Sequence, residues 1–344
     1  MTKTLDYLLQ SIELQPKEIS FKILEQKLGH NLQKAQIKVF REIKALVDEQ
    51  KIYQAYSHLK NSLSYSRKDG FIHYLAGRIA LVCGDFALAQ SHLSQAYFHV
   101  SKHSELSKQC LISLAKNFIQ SRSFGRCQAL LIEQKRQNPC FELQAIAGFL
   151  YQSKRKFSAA IKAYEQALEL QKTADLVRLS LIKLLIHQQQ FKEAQKELDY
   201  LHQRAVKSAD LWALDAIVHL QFKRIKRSFI SIKKALRVDN KHSLSLLLLG
   251  DHYLETKPTL ALKYYQASLE NKKDFFIVYK RLAEALTLEA RYEEAIAQLL
   301  MYRCFVSENE HVEVQKNISF LHIKQQKLES AAHSQPKSSW WKLF

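Results

Sequence analysis

Glycine and proline are scarce in this chain. Its 344 residues include 7 Gly and 4 Pro, where ordinary usage is about 7% and about 5%. Hairpin turns, sandwich connections and phosphate-cradling loops draw on those residues. The shortage disfavours a β-rich fold, a dinucleotide-binding fold and a P-loop enzyme, and the chain reads as nearly all helix. Acidic residues are also in deficit: 33 Asp+Glu face 52 Lys+Arg, a net charge of +19. Cysteine is sparse and odd in number, with five residues (Cys83, Cys110, Cys127, Cys140, Cys304) and no CxxC pair. An oxidised framework favours an even, patterned set, so reduced thiols and a cytoplasmic location are expected. The first residues lack a basic segment followed by an apolar run and a small-residue cleavage site, so no signal peptide is expected. The most apolar stretch, Leu244 to Leu249, is too short to span a bilayer. A hydrophobic share of 47% nevertheless suffices for a core and excludes wholesale disorder.

What is present is a periodicity. Small residues, each followed four positions later by a large apolar one, recur as Ala55/Leu59, Ala89/Leu93, Cys127/Leu131, Ala160/Tyr164, Ala194/Leu198, Ser228/Ile232, Ala261/Tyr265 and Ala295/Leu299, and Ala331 opens a degenerate ninth unit. Successive spacings are 34, 38, 33, 34, 34, 33, 34 and 36 residues. Within each unit a first helix presents apolar residues at i, i+3, i+4 and i+7, as in Leu111, Leu114, Ala115 and Phe118. A short polar turn follows, for example Cys83-Gly84-Asp85 or Glu289-Ala290-Arg291. A second helix then opens on Phe86, Phe124, Phe157, Phe191, Ile225 or Tyr292. The small residue lets the two helices approach and the large one fills the groove. Gly77, Gly148 and Gly250 sit in first helices, where a missing side chain permits close packing despite about 1 kcal/mol of lost helix propensity.

This pattern resembles the tetratricopeptide repeat (TPR) family. The resemblance covers about residues 36 to 331, with the runs Tyr151, Phe157, Ala160, Tyr164, Ala167, Leu168 and Tyr292, Ala295, Leu299 closest to its second-helix signature. It implies an all-α fold, an α-solenoid in which antiparallel helix pairs wind into a right-handed superhelix, concave on one side. Residues 1–35 are then an N-terminal helical cap, 36–331 the solenoid, and 332–344 a flexible tail ending in aromatic residues. There are departures. The family's early Trp occurs only as Trp212 and its terminal Pro only as Pro139. Asp215 and His219 stand in the sixth unit where large apolar residues are expected, and the seventh unit is one residue short near Pro258. These weaken the sixth and seventh units rather than the fold.

No catalytic constellation is found. HExxH is absent among 14 His. The nearest metal-like spacing, His99 and His103, has no obvious third ligand, and structural metals need three or four. Cys127 occupies the small-residue slot, which reads as packing rather than a nucleophile, and Glu293 and Glu294 read as helix-surface charge. No enzyme activity, cofactor, metal or small-molecule substrate is expected.

The resemblance implies that first helices line a partner groove. Carried over position by position, one inward-looking site falls on Lys44, Arg78, Lys116, Phe149, Lys183, Ile217, Asp251 and Glu284, so the groove starts basic and ends acidic. Phe40, Phe71, Tyr74, Ile112, Ile119, Leu179 and Leu247 flank it, either as apolar anchors or as ordinary interhelix packing. The expected partner groove is Lys44, Phe71, Tyr74, Arg78, Lys116, Phe149 and Lys183, suited to protein segments with apolar and acidic residues. The groove Asn residues of the chaperone-tail-binding subgroup are missing. A second basic feature is Lys223, Arg224, Lys226, Arg227, Lys233, Lys234 and Arg237, with Ile225, Phe229, Ile232 and Leu236 marking the buried side. It is either a solvated face or a dock for nucleic acid or an anionic membrane. Lys154-Arg155-Lys156 adds a smaller basic turn. The tail residues Trp340, Trp341 and Phe344 could cap the last helix, touch a membrane interface or engage a partner. The expected function is a non-catalytic scaffold or adaptor for protein–protein contacts. The alternative is an adaptor that docks on nucleic acid or an anionic membrane through residues 223–241 and the tail.

Overall fold

The computed structural model describes residues 33–334, apart from 66, 103, 136–139 and the side chains of 134, 135 and 331–334. Among the described residues there are seventeen α-helices and no strand. Eight pairs follow one another: α1 (Lys34–Asp48) with α2 (Ile52–Tyr65), α3 (Gly70–Val82) with α4 (Phe86–His99), α5 (Glu105–Gln120) with α6 (Phe124–Lys135), and α7 (Phe141–Ser153) with α8 (Phe157–Leu170). Next come α9 (Asp175–His187) with α10 (Phe191–Gln203), α11 (Ala209–Gln221) with α12 (Ile225–Val238), α13 (Ser243–Tyr253) with α14 (Pro258–Asn271), and α15 (Ile277–Leu288) with α16 (Tyr292–Arg303). A longer helix, α17 (Glu308–Ser334), follows. It runs through the expected boundary at 331. The cap expected over 1–35 lies almost wholly outside the described residues. So do most of the tail and its Trp340, Trp341 and Phe344.

The chain forms two compact units, one up to Leu181 and one from Ile182, with the boundary inside α9. The all-α solenoid class expected from the sequence holds in each unit taken by itself, with successive helices packed side by side. The repeat frame explains the core. All eight small residues of the pattern, from Ala55 to Ala295, are essentially inaccessible, and of their large partners only Leu131 is not fully buried. A Cβ added at Gly77 would lie 2.6 Å from Leu93, and one at Gly148 only 2.5 Å from the Tyr164 ring, while one at Gly250 would collide with Tyr265. Each of these three glycines thus makes room for the large residue of its own second helix.

Turn geometry explains how so few glycines suffice. Gln50, Gly84, Arg122, Arg155, Gln189, Lys223 and Ala290 all have positive φ, between 55° and 77°. Each stands two residues before a second helix. The same bonds recur: Arg155 N–H donates to Gln152 O at 2.9 Å and Lys156 N–H to Tyr151 O at 2.8 Å, as Ala290 and Arg291 donate to Thr287 and Leu286. This left-handed helix stop satisfies the last carbonyls. Six of the seven positions lack glycine and carry a conformational cost of about 1–2 kcal/mol each. The seventh pair departs, as its short length foretold. Thr256 and Lys257 both donate to Tyr253 O, and Pro258 opens α14 as its first residue, where a missing N–H costs nothing.

Candidate binding surfaces

The residues read as groove anchors separate into two kinds. Phe40, Phe71, Tyr74, Ile112, Ile119, Leu179 and Leu247 are core residues, between 0% and 8% exposed. Phe71 and Tyr74 are therefore corrected from ligand contacts to packing, because neighbouring helices close over them. Phe40 and Phe71 pack with ring centroids 6.1 Å apart. Lys44, Arg78, Lys116 and Phe149 are half-buried and lie on the first helices α1, α3, α5 and α7. Arg78 is held in place from below: its guanidinium donates to Tyr74 Oη at 3.1 Å.

Lys183 belongs to the other unit and is also corrected. Its side chain is 5% exposed and its Nζ lies 3.0 Å from Asp210 Oδ2, with His242 Nε2 at 3.2 Å from the other oxygen. Burial would raise the Asp210 pKa, but the His242 hydrogen bond and the Lys183 charge outweigh it and hold the carboxyl well below its usual range. The acidic end foreseen at Asp251 and Glu284 is partly balanced by one shared cation. Arg281 lies 3.1 Å from Asp251 and 2.6 Å from Glu284, and Tyr265 Oη donates to Asp251 at 2.7 Å.

Residues 152–217 match the tetratricopeptide repeat family. A tetratricopeptide repeat protein from Parabacteroides merdae is similar in structure, with a TM-score of 0.55 at 15% identity over 74% of this chain and 100% of its own. The APC/C hetero-tetramer Cut9–Hcn1 is similar too, with a TM-score of 0.50 at 11% identity over 94% of this chain and 90% of that one. No curated protein matches the chain significantly. The chain thus has the fold of tetratricopeptide-repeat solenoids, and residues 152–217 carry the family's match.

The basic residues Lys223 and Arg224, in the turn before the second helix α12, and Lys226, Arg227, Lys233, Lys234 and Arg237 within it are exposed. The buried side of α12 is narrower than foreseen. Ile232 is buried, Phe229 and Leu236 are half-buried, and Ile225 is 58% exposed. Ile225 is the first residue of α12, and further along the helix the contact with α11 includes a polar cluster. Asp215, the departure noted in α11, accepts a hydrogen bond from Ser231 Oγ at 2.5 Å. His202 and His219 Nε2 atoms stand 3.5 Å from its two oxygens. Burial pushes the Asp215 pKa up, yet the His202 and Ser231 hydrogen bonds and the nearby imidazoles bring it below its ordinary value. The carboxylate therefore stays ionised inside the repeat. Beside it, α10, α11 and α12 border an open cleft of about 710 Å³. Spacing alone did not reveal this cleft, although Asp215 and His219 were its trace in the sequence.

Cys127 is buried in the small-residue slot, and Cys110 is buried as well. Burial pushes Cys110 up to about 12 and Cys127 up to about 11, so neither is a thiolate at neutral pH. His103 lies outside the described residues, and His99 stacks on His73 with centroids 6.2 Å apart. No helix among the described residues is long and apolar enough to cross a membrane.

Proposed function

We propose that this protein is a non-catalytic scaffold of the cytoplasm that holds segments of other proteins on the first helices α1, α3, α5 and α7. The observation that carries the reading is the half-buried set Lys44, Arg78, Lys116 and Phe149, one per successive first helix. A ligand segment laid across them meets three cations and one aromatic edge, which suits acidic residues flanked by apolar ones. A rigid row of this kind costs little ordering on the protein side when a segment binds. The five free thiols accord with a reducing compartment.

The test is affinity capture from nuclease-treated extract, comparing the full chain with an Arg78→Glu/Lys116→Glu variant. Loss of a discrete set of captured proteins supports the reading. An identical set at equal yield sinks it.

A further inference from the structure

Lys207, Arg224, Arg227 and Lys234 line the cleft between α10, α11 and α12, with Asp199 on its rim and Asp215 at its floor. None of the four cations forms an ion pair with a carboxylate among the described residues. Asp199 is engaged by Gln195 at 2.8 Å, and Asp215 by Ser231, His202 and His219. The unbalanced charge facing the cleft is therefore positive. Arg224 and Lys234 are steadied by aromatic faces: Arg224 lies 5.1 Å from the Phe222 centroid and Lys234 Nζ lies 4.2 Å from that of Trp212. Such contacts fix a cation without neutralising it. Ile230, on the same wall, is 53% exposed.

We propose that this cleft is a second binding site, separate from the first-helix surface, and that it takes an acidic segment of a partner protein. Carboxylates of the segment sit against Arg224, Arg227, Lys234 and Lys207, and an apolar side chain beside them covers Ile230. The volume is that of a site for a few side chains. It is a recess bounded by three helices, not a track for a long polyanion. The indole that would serve a nucleic acid as a stacking platform is already covered: His202 packs 4.4 Å from Trp212, and Lys234 lies over its ring. Asp215, buried, ionised and bonded to Ser231, forms the floor beneath these cations at a first-helix position where α9 carries the apolar Leu181.

The experiment uses the full chain and a fluorescein-labelled short peptide of alternating Glu, Asp and Leu, followed by anisotropy at about 0.15 M salt. The expected result is saturable binding that weakens about tenfold or more in Arg227→Glu/Lys234→Glu, a loss typical of reversing charges that contact a ligand. The milder Arg227→Gln/Lys234→Gln lies between. A Lys60→Glu/Lys162→Glu variant changes net charge equally at exposed residues that do not line the cleft and should retain affinity within about twofold. The Gln, Asn and Leu version of the peptide should not bind. Equal loss in both charge-reversed variants, absence of binding by the wild type, or tighter cleft-dependent binding of a single-stranded oligonucleotide of the same charge each overturns the proposal. Since Arg78 and Lys116 take no part, failure of the first-helix reading would leave these results unchanged.

Discussion

In the pair α7–α8 the second helix presses Tyr164 onto Gly148, and the phenol donates to Gln152 Oε1 at 3.1 Å. In α11–α12 the small residue Ser228 and large residue Ile232 are equally buried, yet the centre of the contact is an ionised Asp215 held by Ser231 and two histidines. The repeat frame thus dictates where helices touch and how closely, but not the chemistry of the touch. An apolar contact closes completely. A polar one must satisfy directional bonds, and the space it cannot fill becomes a cleft.

The comparison can be broken most severely at Asp215. Removing its carboxylate in Asp215→Ala strands two histidines and Ser231 and should cost about 3 kcal/mol, read as a lower midpoint in urea. Replacing the network as a whole, with Asp215→Leu, His219→Leu and Ser231→Ala, gives α11 the apolar residues that Leu181 and Leu185 supply in α9. It should be neutral or stabilising while closing the cleft. A triple variant as weak as the single one would show that the pair depends on its polar bonds rather than on the frame.

The reciprocal experiment is Gly148→Ala, which drives a methyl into the Tyr164 ring. Its expected cost is about 2 kcal/mol, whereas Gly125→Ala, where the same methyl meets open space, should change stability little. Another polar insertion sharpens the contrast by pH. His92 lies 3.1 Å from both Tyr56 Oη and His73 Nδ1, and burial, aided by the His73 charge, lowers its pKa below 6.5. The unfolded chain therefore binds this proton more readily than the folded one. The contribution of His92 is intact above pH 6.5 and falls as pH drops through that value toward the lowered one. His92→Gln should shrink the difference in Tm between pH 8 and pH 5 by a few degrees, about 2–4 °C per kcal/mol. The smallest effect is expected at the exposed turn: Ala290→Gly should gain about 0.5 kcal/mol, relief of left-handed strain exceeding the extra freedom of the unfolded chain.

Much of the fold was legible because close helix approach permits few residues. A small side chain that must be buried and a large one that fills the space it leaves recur every 33 to 38 residues, and that arithmetic located all eight second helices. Charge pairing was not legible. Lys183 and Asp210 are separated by 27 positions, and a periodicity of helix faces says nothing about which long side chain reaches across to the next pair. Phe71 and Tyr74 were misread for a related reason: the repeat assigns a position to a helix face, while burial depends on how near the adjacent helix stands. Ile225 shows the reverse error, an apolar residue that opens a second helix yet stays exposed.

The left-handed stops have a consequence for how this chain can be changed. At seven places the path is set by backbone bonds, with Gln, Gly, Arg, Lys and Ala all accepted in the same conformation. Identity at those points is thus nearly uncoupled from architecture. Two of the basic turns, Lys154-Arg155-Lys156 and Lys223-Arg224, are built on them. A library randomised at the seven stops would move the electrostatic surface over a wide range while the core stayed untouched, making these turns the natural places to graft a new specificity.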